Sequence, residues 1–232
     1  KRQTQIDLII VATITPDHPF PATACAVQDG LGARHAAAFD LSAGCSGFVY
    51  GLGIAADLIR AGTYQTVLVI GAETLSRIHA WGDRSTCVLF GDGAGAVILQ
   101  PADEPGIIAC HLGADGNYKD LLYHPYGASR RQQPGETEGP YIHMKGNEVF
   151  KVAVKTLEGI VETTLAASQL TATYFSAILV RNFRMLPQPV MKRFAAYSHF
   201  FSCLLDSQPV GPFDEIGLCI HIFLMKNIYN FV

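Results

Sequence analysis

Apolar positions change their rhythm along this chain, and each rhythm predicts an element. "IDLIIVAT" (6–13) is a nearly continuous β-branched run, the pattern of a strand buried on both faces. "FPATACAVQDGLG" predicts a helix with Pro21 in its first turn and Gly30 after its end, and "AAFD" a short strand behind it. From Ser46 a second helix begins. Phe48, Leu52, Ala55 and Ile59 fall on one of its faces, and Gly62 stops it. "TVLVIG" is the next strand, "ETLSRI" a short helix or loop, and "TCVLFGDGAGAVILQ" two extended halves pinched by glycines. Strand, helix, strand, helix, strand is the order of an α/β protein with a largely parallel sheet.

Residues 101–146 are rich in loop formers, with one strand expected at "GIIACHLGA". "GNEVFKVAVKTLEGIVETTLAASQL" then reads as a long amphipathic helix. Its stripe is Val149, Val152, Ala153, Leu157, Ile160, Val161 and Leu165. After "SAILV" the periodicity weakens and aromatic residues crowd together ("FAAYSHFFSCLL").

Composition narrows the function classes. A charge of −3 over 232 residues gives no reason to expect nucleic acid or an anionic membrane as partner. The apolar run "LCIHIFLM" is far shorter than the roughly 20 residues of a membrane span, and no secretory pattern opens the chain, so a cytoplasmic protein is expected. Six cysteines are scattered without any CxxC pair, which supports neither a metal site nor a disulfide framework.

Chemistry concentrates in "FDLSAGCSGFVYGL" (39–52). Cys45 stands where an apolar helix begins, and the partial positive charge and free amides of a helix N-terminus favour thiolate. Gly44 and Gly47 would let a substrate carbonyl come close, with backbone amides as donors to an oxyanion. On spacing alone, a small thiol filling a strand-to-helix corner is the favoured reading. "FGDGAGA" has the glycine spacing of a phosphate loop. It lies between extended segments instead of between a strand and a helix, so dinucleotide binding lacks its context.

Five consecutive blocks resemble the beta-ketoacyl-acyl carrier protein synthase III family of the thiolase-like superfamily. They are "IDLIIVATITPDHPFPATAC", "DLSAGCSGFVYGL", "WGDRSTCVLFGDGAGAVIL", "HLGADGNYKDLLY" and "MKGNEVFKVAV". The resemblance implies an α/β, thiolase-like layered αβαβα fold, here incomplete, working as a homodimer. Residues 1–100 would form the nucleophile-bearing half, 101–180 the start of the second half, and 181–232 a divergent tail. It implies acyl transfer from acyl-CoA to Cys45, then condensation with malonyl-acyl carrier protein, with no further cofactor and no metal. Matched to the family, Arg84, Asn147 and Asn182 lie near bound coenzyme A. Phe20, Leu75 and Phe90 shape the acyl pocket, Phe20 by crossing the dimer interface. Lys151 and Arg184 face the acyl carrier protein, with Lys155 one turn beyond Lys151. For each apolar residue plain core packing is the competing reading, and for the lysines a solvated helix face.

The resemblance departs from the family near residue 180. Of the family's Pro-His-Gln-Ala-Asn segment only the far side is matched, at Asn182 and Arg184, since "AILV" runs directly into "RNFRML" without the histidine, and its Gly-Asn-Thr-Ser motif has no counterpart. His18, His111, His124 and His143 stand where the family places no catalytic base, and His199 and His221 lie in the divergent tail. A chain truncated at both ends, its tail read in an altered frame, is the expectation, and with it a catalytically impaired homologue as the alternative function.

Overall fold

The computed structural model describes residues 5–103 and 106–170, and the sequence expectations that fall on Asn182, Arg184 and the tail lie outside them. Among the described residues the elements are β1 (Leu8–Ala12), α1 (Thr23–Leu31), β2 (Ala37–Leu41), α2 (Gly47–Arg60), β3 (Val67–Thr74), β4 (Asp92–Leu99), β5 (Leu122–Tyr123), β6 (His143–Met144) and α3 (Gly146–Ser168). Two compact units divide them. The first runs to Leu157 and the second opens at Glu158.

In the first unit, β1 lies inside a four-stranded sheet ordered β2-β1-β3-β4. It pairs in parallel with β2 (Ile10 opposite Phe39) and with β3 (Ile10 opposite Val69), while β4 runs antiparallel to β3. All five β1 residues are buried, as the unbroken apolar run predicts. Ile9 and Val11 join Ala24, Ala36 and Leu68 in a core on one face. Ile9, Val11 and Leu68 each contribute about 1.5–3 kcal/mol by leaving water.

The other face is covered by α2, and there the sequence expectation is corrected. Phe48 and Ala55 are buried as predicted, but Leu52 and Ile59 are only half-buried. Glycines bring the helix close to the sheet: a Cβ on Gly47 would stand 3.1 Å from that of Ala12, and one on Gly51 would stand 3.0 Å from Cγ1 of Val69. Small residues let the helix backbone approach β1 and β3. Gly62 ends α2 as expected, at φ +74°, with the Thr63 amide on Leu58 O at 3.0 Å and its own amide on Ile59 O at 2.9 Å.

Three other expectations shift. α1 begins at Thr23, past a cis Phe20–Pro21 peptide, and keeps Gly30 inside, ending at Gly32 with φ +65°. "TCVLF" is not extended but forms helical turns, because Asp83 acts as their cap. Its carboxylate accepts the Ser85 amide at 2.9 Å and the Thr86 hydroxyl at 2.8 Å. "GIIACHLGA" holds no strand among its described residues, whereas "LY" and "HM" pair as β5 and β6 in a region read as loop.

α3 forms over the expected span, yet none of its residues is buried. In the second unit its last turns are tied locally, Thr163 donating to Gly159 O at 2.8 Å, with Ile160 and Val161 exposed. No helix of the described residues is long and apolar enough to cross a membrane.

Candidate active site

Cys45 reaches its place through a turn that only glycine makes easily. β2 ends at Leu41, Gly44 turns the chain at φ +53°, and Gly44–Ser46 form one 3-10 turn, closed by the Ser46 amide on Ala43 O at 3.2 Å. α2 follows directly. Ser46 offers it no side-chain cap, and the Gly47 amide turns back onto Gly44 O. Gly44 opens onto free space, while the open side of Gly47 is filled by Ala12. Of the two glycines expected to admit a substrate, Gly44 is the one with room, and Gly47 serves packing.

The electrostatics of Cys45 also correct the sequence expectation. The residue is exposed, yet atoms crowded around its sulfur push the thiol pKa up from 9.0, and the Glu73 carboxylate pushes the same way. Its own backbone amide pulls down and does not prevail. Cys45 sits one turn ahead of α2, and the amide contribution there is smaller than desolvation and a facing carboxylate combined.

Cys45 borders a cavity of about 330 Å³ together with Ser85, Phe90, Leu122, Asn147 and Phe150. Two expected site residues, Phe90 and Asn147, therefore meet the thiol in one place. Phe90 is 9% exposed and packs with Leu75 and Ile142, so it is at once core and cavity wall. Leu75 belongs to that cluster but does not line the cavity.

The remaining residues stand apart. Arg84 is exposed on the Asp83 turn, outside the cavity lining. Phe20 is 84% exposed on the segment leaving β1. Lys151 and Lys155 are exposed on α3, the first of them one helical turn from Asn147.

Ser85, Leu122, Met144 and Phe150 were not foreseen in the lining. The short apolar runs "LLY" and "IHM" were the available signal for Leu122 and Met144. No histidine lines the cavity among the described residues. His124 is engaged with Tyr126 O at 2.7 Å and Pro140 O at 3.2 Å, and His143 with Gly139 O at 3.3 Å. His79 is buried with neither ring nitrogen partnered, its ring edge-on to Trp81 at 4.6 Å. Among the described residues there is no group of three or more potential metal ligands.

Residues 39–116 match the family 3-oxoacyl-[acyl-carrier-protein (ACP)] synthase III. The chain is 58% identical over 168 residues to a beta-ketoacyl-[acyl-carrier-protein] synthase III of Alkalilimnicola ehrlichii, covering 72% of this chain and 52% of that protein. It is 54% identical over 166 residues to the protein of that description from Xanthomonas campestris pv. campestris, covering 72% and 51%. Among solved structures, 3-oxoacyl-[acyl-carrier-protein] synthase III from Aquifex aeolicus VF5 superposes with a TM-score of 0.65 at 45% identity, covering 73% of this chain and 51% of that one. The priming beta-ketosynthase of the R1128 polyketide pathway superposes with a TM-score of 0.68 at 36% identity, covering 73% and 51%. The fold is thus α/β and thiolase-like, as the sequence motifs imply. The chain spans about half the length of the curated relatives it matches.

Proposed function

We propose that this chain, whose matched residues belong to the 3-oxoacyl-[acyl-carrier-protein] synthase III family, takes an acyl group from acyl-CoA onto Cys45 and condenses it with malonyl-acyl carrier protein, the step that initiates fatty acid synthesis. The observation that carries the reading is Cys45 sharing one cavity with Phe90 and Asn147, within a sequence 58% identical to such a synthase. Sulfur attack on the acyl-CoA carbonyl forms a tetrahedral oxyanion. Backbone amides of the turn that carries Cys45, its own among them, would donate to it. Collapse expels the coenzyme A thiol and leaves an acyl-Cys45 thioester.

In this reading residues 1–100 are the nucleophile-bearing half and 101–180 open the second. Asn147, Arg84 and Asn182 hold coenzyme A, the guanidinium suiting phosphate. Phe90, Leu75 and Phe20 shape the acyl pocket. The high exposure of Phe20 supports its reaching a second copy across a homodimer interface. Lys151, with Lys155 and Arg184, offers positive charge to an acidic carrier protein. The protein works in the cytoplasm and needs no cofactor beyond its acyl-CoA substrate.

Intact-protein mass spectrometry tests this directly. The chain is incubated with acetyl-CoA beside a Cys45→Ala control, and malonyl-acyl carrier protein is then added. An acetyl adduct that requires Cys45 and disappears as ketoacyl product forms is expected. An adduct that persists would reduce the reading to acyl transfer alone, and no adduct in a folded protein would overturn it.

A further inference from the structure

Glu73, at the end of β3, collects three donors from the segment that leaves β1. They are the Ile14 amide at 2.9 Å, the Thr15 hydroxyl at 2.6 Å and the Thr13 hydroxyl at 3.4 Å. Thr15 Oγ1 accepts the Thr74 amide at 2.8 Å, so the link closes back on the end of β3. The amide of buried Thr13 reaches Leu41 O, the last residue of β2, at 3.1 Å. Three strand ends are pinned in this way. Two of them support the nucleophile turn: Leu41 leads into it, and Ala12 fills the open side of Gly47 just behind Cys45.

We propose that Glu73 is a positioning residue for the nucleophile, its carboxylate clamping the segment that leaves β1 to the end of β3, behind the turn that carries Cys45. The proposal rests on Cys45 being the acyl-accepting residue. Among the described residues Glu73 is the charged group that acts on this thiol, and its sign opposes thiolate. The resting sulfur is kept as a thiol until a base takes its proton. Only the thiolate attacks acyl groups or oxidants, so the clamp also shields the site between turnovers.

The test reads Cys45 without any acyl-CoA, so its failure is separate from failure of the functional reading. In the full chain, the rate of Cys45 alkylation by iodoacetamide is followed against pH by peptide mass spectrometry, with Cys25 and Cys87 as internal controls. Glu73→Gln, shown folded by circular dichroism, should lower the Cys45 midpoint by at least about half a pH unit and speed its alkylation below that midpoint about threefold. The control midpoints should stay in place. Glu73→Asp keeps a charge on a shorter stem and should fall between the Gln variant and the native chain. A Gln variant with the native midpoint would overturn the proposal. Where the Gln variant does not fold, Glu73→Asp decides: a partial fall supports the proposal and a native midpoint overturns it.

Discussion

Gly51 of α2 lies so close to Val69 of β3 that a Cβ on the glycine would stand 3.0 Å from Val69 Cγ1. Val69 is fully buried between β1 and β4 and has nowhere to retreat. Gly51→Ala gains about 1 kcal/mol of helix propensity but costs about 1–3 kcal/mol by overpacking, so a net loss near 1 kcal/mol is expected. The urea midpoint of unfolding measures it. A midpoint at or above the native one would mean that the helix seats on the sheet with room to spare.

α1 is capped from outside itself. Ala22, at its N-cap, has no side-chain acceptor, and Asp40 of β2 supplies both oxygens instead, to the Thr23 amide at 2.7 Å and the Ala24 amide at 2.8 Å. Asp40→Ala leaves these two amides without their acceptor at the positive end of the helix, and should cost about 1–2 kcal/mol. Asp40→Asn retains one acceptor oxygen and should lose less. Equal losses in chemical denaturation would assign the effect to packing rather than to capping.

Periodicity made the first half of the chain legible wherever a strand or helix presents one plain face. β1 was readable because both its faces are apolar, and α2 because Phe48 and Ala55 repeat at helical spacing. The glycine face of α2 left no such trace, since a glycine's value there depends on Ala12 and Val69, which sit far away in sequence. The β-branched and aromatic residues of "TCVLF" favour a strand, and Asp83 overrides them with local hydrogen bonds. At the site, motifs pointed to Cys45, Phe90 and Asn147. The charge that acts on the thiol comes from Glu73, which no motif marked and whose place at the end of β3 follows only from the fold.

Asp83 holds the turn that presents Arg84. The Ser85 hydroxyl, then the Thr86 hydroxyl and the Ser85 amide, hold its carboxyl below the ordinary value of 3.8. A depressed carboxyl contributes stability that is present above its unfolded value and lost as pH falls through the folded one, so the window lies below about pH 4. Asp83→Asn should flatten the acid limb of thermal stability in that window. It should also weaken coenzyme A binding in calorimetry while Cys45 alkylation stays unchanged. Unaltered binding would detach Arg84 from the coenzyme A role.

Cys45 carries the opposite sign. Its thiol lies above the ordinary value of 9.0, first through desolvation and then through Glu73, so protonated sulfur is the form the fold favours. Alkylation of Cys45 should therefore lag that of a free thiol at neutral pH and continue to rise beyond pH 9.0. The linkage runs the same way: this contribution to stability is intact below the unfolded thiol pKa and is lost as pH climbs through the folded one. Cys45→Ala should accordingly soften the alkaline loss of stability in pH-dependent thermal unfolding. A Cys45 alkylation midpoint at or below 9.0 would show that the backbone amide at Cys45 offsets both the crowding and the carboxylate.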